Sequence, residues 1–256
     1  VDPKDRSLMT DSIRWRFSRN SMGKSEIAVL DILANNNWKR PVYFASIGQE
    51  GTLGLEEYMQ LEGFAYRLVP IKTPSQGRYE SGRIATEILY KNLMEKFRYG
   101  NMNAPDVYLD DFHVRTTSII RLRTRFIQLA DALISEGDTA RAVKVLDRCM
   151  ELTPDSKIPY DHTIIQMANA YYKCNRFEKG NALVKALGDK CSAKLDYYLD
   201  QKEGFMNSIN DQIIYNFQMM QNLAMVSRNF SQTTVSAAMD SITNKKYELY
   251  TLKTKD

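Results

Sequence analysis

Asp110, Asp111 and His113 stand together in the stretch LDDFH, and a carboxylate–histidine group of this kind can ligate a metal or relay protons. Two neighbouring aspartates point different ways in either helix or strand, however, and acidic residues ahead of a helix favour its N-terminal dipole without any catalysis. Capping is therefore the preferred reading, and an independent hydrolase or transferase site on these three residues is the alternative. The other familiar chemistries lack their patterns. Ser46, Ser75 and Ser81 sit in no GxSxG elbow, and GQEGTLG, with Gly48, Gly51 and Gly54, has neither the lysine of a phosphate loop nor the GxGxxG spacing. Glu56, Glu57 and Glu62 read as the solvated face of a short helix. Cys149, Cys174 and Cys191 have no CxxC spacing and no histidine close by, which removes the usual zinc arrangements. If Cys174 ends one helix and Cys191 its antiparallel partner, roughly 20 Å of helix rise separates them, too far for a disulfide. Three free thiols are expected, with Cys149 a small core residue. No catalytic residue, metal site or cofactor is assigned.

The chain that must position these residues has 256 of them, 43% hydrophobic and 26% charged, enough to bury a core. Its 35 basic and 31 acidic residues leave a net charge of +4, too balanced for a nucleic-acid binder. In the densest basic run, RLRTR, Arg121 and Arg125 share a helical face that Arg123 does not, and a solvated helix surface is expected. The longest apolar stretches, such as Ile27 to Ala34, are interrupted by charge well before the roughly 18 to 20 residues a membrane helix needs. A start at Val1 without a signal pattern reads as an excised fragment or mature product.

Two grammars follow one another. Up to about Gly100, helix-like and strand-like pieces alternate: KSEIAVLDILANN with Ser25 as N-cap, the apolar strand PVYFAS, a short helix LEEYMQLEG closed by Gly63, the strand FAYRLVPI, and the helix RIATEILYKNLMEKFRYG. Between the first two, NNNWKRP reads as a joint. Asn35 to Asn37 cap the helix end, Pro41 forces the exit, Trp38 covers the seam, and Lys39 and Arg40 stay wet on a rim that a membrane domain or glycan could meet. Beyond a linker at GNMNAPDVYLDD the pattern is helical. Phe126, Leu129, Ala130 and Leu133, a turn at EGD, then Ala142, Leu146 and Cys149 have the spacing of a tetratricopeptide repeat. Ile164, Met167, Ala168 and Tyr171, a turn at CNRF, then Gly180, Val184 and Leu187 form a second copy. The helix NDQIIYNFQMMQNLAMVS, with Ile213, Phe217, Met220 and Ala224 inward, reads as a cap over the last repeat.

By repeat position, the first helices would line a groove with Thr124, Ile127, Asp131 and Ile134, then His162, Ile165, Asn169, Tyr172 and Lys173. Asn169 holds the place where an amide can both donate to and accept from a peptide backbone. Packing against neighbouring domains is the first reading of this groove and peptide binding the second, since the cations of a carboxylate clamp are absent.

The segments AVLDILANNNWKRPVYFA, YMQLEGFAYRLVPIK, VYLDD and RFIQLADALISEGDTARAVKVLDRCMELTPDSKIPY resemble the C-terminal soluble region of a bacterial family of multi-pass membrane proteins. That family, long catalogued as a domain of unknown function, is similar to protein O-mannosyltransferases, and the resemblance spans most of Ser25 to Leu187. It implies an N-terminal membrane domain of the lipid-linked-sugar glycosyltransferase type, whose catalytic acid lies outside this chain, and a periplasmic location at the inner membrane. The expected fold is α+β: an α/β layer over residues 1–104, tetratricopeptide-like hairpins over 105–192 and a helical cap over 193–256. The expected function is that of an extracytoplasmic accessory domain. Its partners would be its own membrane domain and a protein or peptide acceptor, met through Asp131, His162, Asn169, Tyr172 and Lys173 or through Trp38, Lys39 and Arg40. A free-standing peptide-binding adaptor is a further alternative.

Overall fold

The computed structural model describes residues 3–17, 20–47, 52–74, 82–110, 112 and 119–254, and the fold is α+β. The chain divides into two compact units, Val1–Tyr99 and Gly100–Asp256.

In the first unit, helix α1 (Lys24–Asn36) precedes four short strands, β1 (Tyr43–Phe44), β2 (Met59–Leu61), β3 (Tyr66–Leu68) and β4 (Arg83–Ile84), and helix α2 (Thr86–Lys91) follows them. The sheet order is β1-β3-β2-β4, with β3 antiparallel to both neighbours and β4 parallel to β2. Val29, Leu30 and Leu33 of α1 pack on a core of Leu53, Leu55, Tyr58, Met59 and Leu68. Several expectations change here. The N-cap of α1 is Gly23 rather than Ser25; Gly23 N–H donates to Glu26 Oε2 at 2.8 Å. LEEYMQLEG is one 3-10 turn, Glu56–Tyr58, followed by β2, because Met59, Gln60 and Leu61 are all buried in an inner strand and tertiary burial overrides the helical letters. β1 is an edge strand, with Tyr43 half exposed. Glu62 is buried rather than solvated: it accepts from Tyr43 Oη at 2.7 Å and Gln60 Nε2 at 2.6 Å and pairs with Arg67 at 3.5 Å, tying three strands together.

Among the described residues, the second unit builds three helical hairpins. They are α3 (Ile119–Ser135) with α4 (Thr139–Leu152), α5 (Thr163–Lys173) with α6 (Phe177–Leu199), and, after the short α7 (Glu203–Ser208), α8 (Asn210–Asn229) with α9 (Thr233–Lys253). All three turns are closed alike. Gly137, Asn175 and Ser231 take left-handed φ of 84°, 57° and 59°, two residues before the second helix. The following N–H reaches five residues back in each, from Asp138 to Leu133 O, Arg176 to Tyr171 O and Gln232 to Ser227 O, at 2.8 to 2.9 Å. Small buried residues recur at one spacing, Ala130 with Ala142, Ala168 with Gly180 and Ala224 with Ser236, so each pair of helices can approach closely. Ile213, Phe217, Met220 and Ala224 are buried, and α8 is half of a hairpin equivalent to the others rather than a lone capping helix.

RLRTR is not a wholly solvated face. Arg123 has 0% exposure. The three cysteines are buried free thiols, and Cys191 lies within α6, which runs on to Leu199. Burial pushes the Cys149 thiol up to about 12 and Cys191 up to about 11. An unfolded chain would lose those protons first, near pH 9, so the buried thiols stabilise the fold below that value. Stability is expected to fall as pH climbs from there toward 12. Dithionitrobenzoate at pH 8 should leave all three thiols unmodified until denaturant is added; rapid reaction of Cys149 in the native chain would contradict this packing.

Candidate functional site

The α5 helix is set by a buried cation. Arg123 of α3 directs its guanidinium into the loop between α4 and α5, where Nη2 donates to Ile158 O at 2.7 Å and Thr153 O at 3.2 Å, and Nη1 donates to Pro159 O at 3.1 Å. Nε donates to Thr153 Oγ1 at 3.2 Å, Asp161 lies 3.5 Å from Nη1, and the guanidinium sits 5.6 Å from the Tyr160 ring centroid. Asp161 in turn accepts from Thr163 N–H at 3.0 Å and from its hydroxyl, satisfying the first turn of α5. The chain of contacts from Arg123 through Asp161 therefore fixes where His162 and the exposed side of α5 stand.

That side faces α8 across an open groove of about 470 Å³. From α5 and its start come His162, Ile165, Gln166 and Asn169; from α8 come Tyr215, Gln218, Met219, Asn222, Met225, Val226 and Asn229. None of these is a carboxylate, lysine or arginine, in a chain that is 26% charged. Five are carboxamides, and among the described residues their side chains make no hydrogen bond. Burial, aided by Asp161, pushes the Tyr215 phenol up, so its hydroxyl remains a neutral donor and acceptor. Met219, Val226 and Ile165 give the floor its apolar part. The arrangement can bind a neutral ligand rich in amide or hydroxyl groups, and no carboxylate joins His162 in the lining.

The expected groove residues separate. His162, Ile165 and Asn169 line it. Asp131 and Lys173 pair with each other at 3.0 Å, half exposed and outside the lining. Ile127 is buried in the core. Tyr172 is 1% exposed: its hydroxyl donates to Asn181 Oδ1 at 2.8 Å, and its ring packs with Phe230, centroids 5.2 Å apart. It is a packing residue, because the third hairpin covers the end of α5. The α8 half of the groove escaped the sequence reading, although Ala224 and Ser236 repeat the Ala130–Ala142 spacing and place Gln218 and Met225 in register with His162 and Asn169. Of LDDFH, Asp110 is exposed, while Asp111 and His113 lie outside the described residues. Among the described residues no group of three or more His, Cys, Asp and Glu could hold a metal.

In the first unit, Trp38, Lys39 and Arg40 line a second cleft of about 410 Å³ with Met9, Asp11 and Arg67. Trp38 does not cover the seam at the end of α1; it is 58% exposed.

Fold and sites together define an α+β chain whose sheet unit carries an aromatic–cationic loop and whose helical hairpins carry a neutral groove. Residues 1–88 match the profile of a family described as TMEM260-associated domain 2, so the likeness lies in the sheet unit and stops short of the hairpins. No curated protein and no solved structure matches the chain.

Proposed function

We propose that this chain is the extracytoplasmic accessory region of a membrane glycosyltransferase-like protein of the protein O-mannosyltransferase-like type, and that its helical unit holds protein acceptor in the α5–α8 groove. The match of residues 1–88 to a family named for association with TMEM260, an O-mannosyltransferase-like membrane protein, supports the setting. No described helix is long and apolar enough to cross a membrane, in keeping with a region outside the bilayer. On this reading the hairpins are tetratricopeptide-like, the region lies in the periplasm, and a membrane domain N-terminal to it carries the catalysis.

The observation that carries the acceptor role is the uncharged groove lined by Gln166, Asn169, Gln218, Asn222 and Asn229. An extended polypeptide offers N–H donors and C=O acceptors alternately, and a carboxamide can meet either. A hydroxyl-rich acceptor segment needs no countercharge, and none is provided. Fluorescence anisotropy with a labelled, uncharged Ser/Thr-rich peptide tests this. Asn169→Ala is expected to weaken binding about 5- to 10-fold, the worth of one net hydrogen bond, with the circular dichroism unchanged. Added salt should leave the affinity nearly constant, because no ion pair forms. Absence of binding at millimolar peptide would overturn the acceptor role.

A further inference from the structure

The loop that ends α1 belongs to the sheet unit and has its own geometry. Asn37 and Trp38 are consecutive left-handed residues, with φ of 48° and 56°. Asparagine adopts this conformation readily and tryptophan rarely, so the backbone is strained at a residue whose indole is 58% exposed. The loop is nonetheless firmly held: Asn36 Nδ2 donates to Arg40 O at 2.8 Å, and Lys39 N–H to Asn36 O at 3.1 Å. Lys39 and Arg40 are exposed and make no ion pair among the described residues, whereas Arg67 behind them is engaged by Glu62. Met9, 45% exposed, lines the same cleft, fixed there by the bond from Thr10 N–H to Pro70 O at 2.7 Å.

We propose that this loop docks on the surface of an anionic phospholipid bilayer, with the Trp38 indole and the Met9 side chain at the headgroup boundary and Lys39 and Arg40 against the lipid phosphates. Three features favour a lipid surface over a small soluble ligand. Recognised small molecules are mostly enclosed by their sites, while here the ring, both unpaired cations and Met9 stand on an open rim. Tryptophan, with an apolar body and one N–H, is the side chain best suited to the membrane–water boundary. Unpaired cations beside it gain from the negative potential of anionic lipid, which a neutral bilayer lacks. One indole and two cations make a weak, reversible contact, sufficient to orient a region that is tethered to a membrane as in the function proposed above.

The test uses the full chain with phosphatidylcholine vesicles, with and without phosphatidylserine. The chain has two tryptophans, so Trp15→Phe leaves Trp38 as the sole reporter. Its emission is expected to shift to the blue with phosphatidylserine vesicles only, and to revert in high salt. Co-sedimentation of the unaltered chain should weaken about fivefold for each of Lys39→Ala and Arg40→Ala. Trp38→Gly is expected to relieve the backbone strain, raise the melting temperature and abolish vesicle binding; a drop in stability would mark the indole as a packing element and overturn the proposal. An unchanged emission with the chain left in the supernatant would overturn it as well. So would an equal blue shift with soluble phosphoserine or polyglutamate in the absence of vesicles, which would assign the loop to a soluble ligand.

Discussion

Arg123→Ala is expected to destabilise the helical unit by about 3–5 kcal/mol, the usual cost of removing one partner from a buried charged cluster. The guanidinium is fully buried, and its N–H groups meet the carbonyls of Thr153, Ile158 and Pro159, the Thr153 hydroxyl and Asp161. Truncation strands those carbonyls in a space that water enters poorly and leaves Asp161 without its cation. Arg123→Lys keeps the charge but offers a single ammonium in place of a planar fork, and it should recover less than half of the loss. Urea denaturation measures the cost. Because Arg123 anchors the loop into α5, hydrogen exchange should quicken first at the start of α5, near His162, before the rest of the unit. A cost below about 1 kcal/mol would place the guanidinium among ordinary surface charges and contradict the packing.

Gly180→Ala is the second large effect, and its sign runs against helix propensity. In the middle of an exposed helix the change would gain about 1 kcal/mol. Here a Cβ on Gly180 would lie 2.3 Å from Tyr172 Cε1 and 2.6 Å from Cδ1. Tyr172 cannot swing aside, since Asn181 holds its hydroxyl and Phe230 and Phe177 flank its ring. Overpacking of this kind costs about 1–3 kcal/mol, and the net result should be destabilising. Tyr172→Leu with Gly180→Ala should cost less than the two changes summed, since the smaller partner removes the clash. Gly204, in α7 with nothing within 4 Å of a Cβ, is the control: Gly204→Ala should be neutral or stabilising. Equal effects at the two glycines would rule out the Tyr172 contact as the cause.

The hairpins were legible because their signal is local. Ala130 with Ala142 and Ala168 with Gly180 mark two close helix crossings, and Gly137 and Asn175 mark the turns between them. The third crossing, Ala224 with Ser236, carries the same spacing, but Ser231 is an unusual residue for a left-handed turn and α7 interrupts the period, so residues 193–256 read as a helical cap and not as a further hairpin. Arg123 is hard to place from sequence because its charge points outward while its position points inward. It lies three residues before Phe126 and seven before Ala130, on the core stripe of its own helix, and only the folded loop from Thr153 to Asp161 supplies the acceptors that let it be buried. Glu62 is a parallel case, a carboxylate turned inward by Tyr43, Gln60 and Arg67 from strands that sequence cannot pair. For the groove, His162 and Asn169 were reachable from repeat position, whereas Tyr172 was placed wrongly because its burial depends on Phe230 and Ser227, far along the chain.

The acceptor role rests on the α5–α8 groove, and methionine supplies a probe inside it. Met219 and Met225 line the groove, while Met59 lies in the core of the sheet unit. With ¹³C-methyl methionine, titration of an uncharged Ser/Thr-rich peptide should shift the Met219 and Met225 resonances together, leave Met59 in place, and need about 5- to 10-fold more peptide for the same shifts in Asn169→Ala. Unchanged Met219 and Met225 resonances at millimolar peptide, or an unchanged titration midpoint in Asn169→Ala, would contradict a groove that holds polypeptide through its carboxamides.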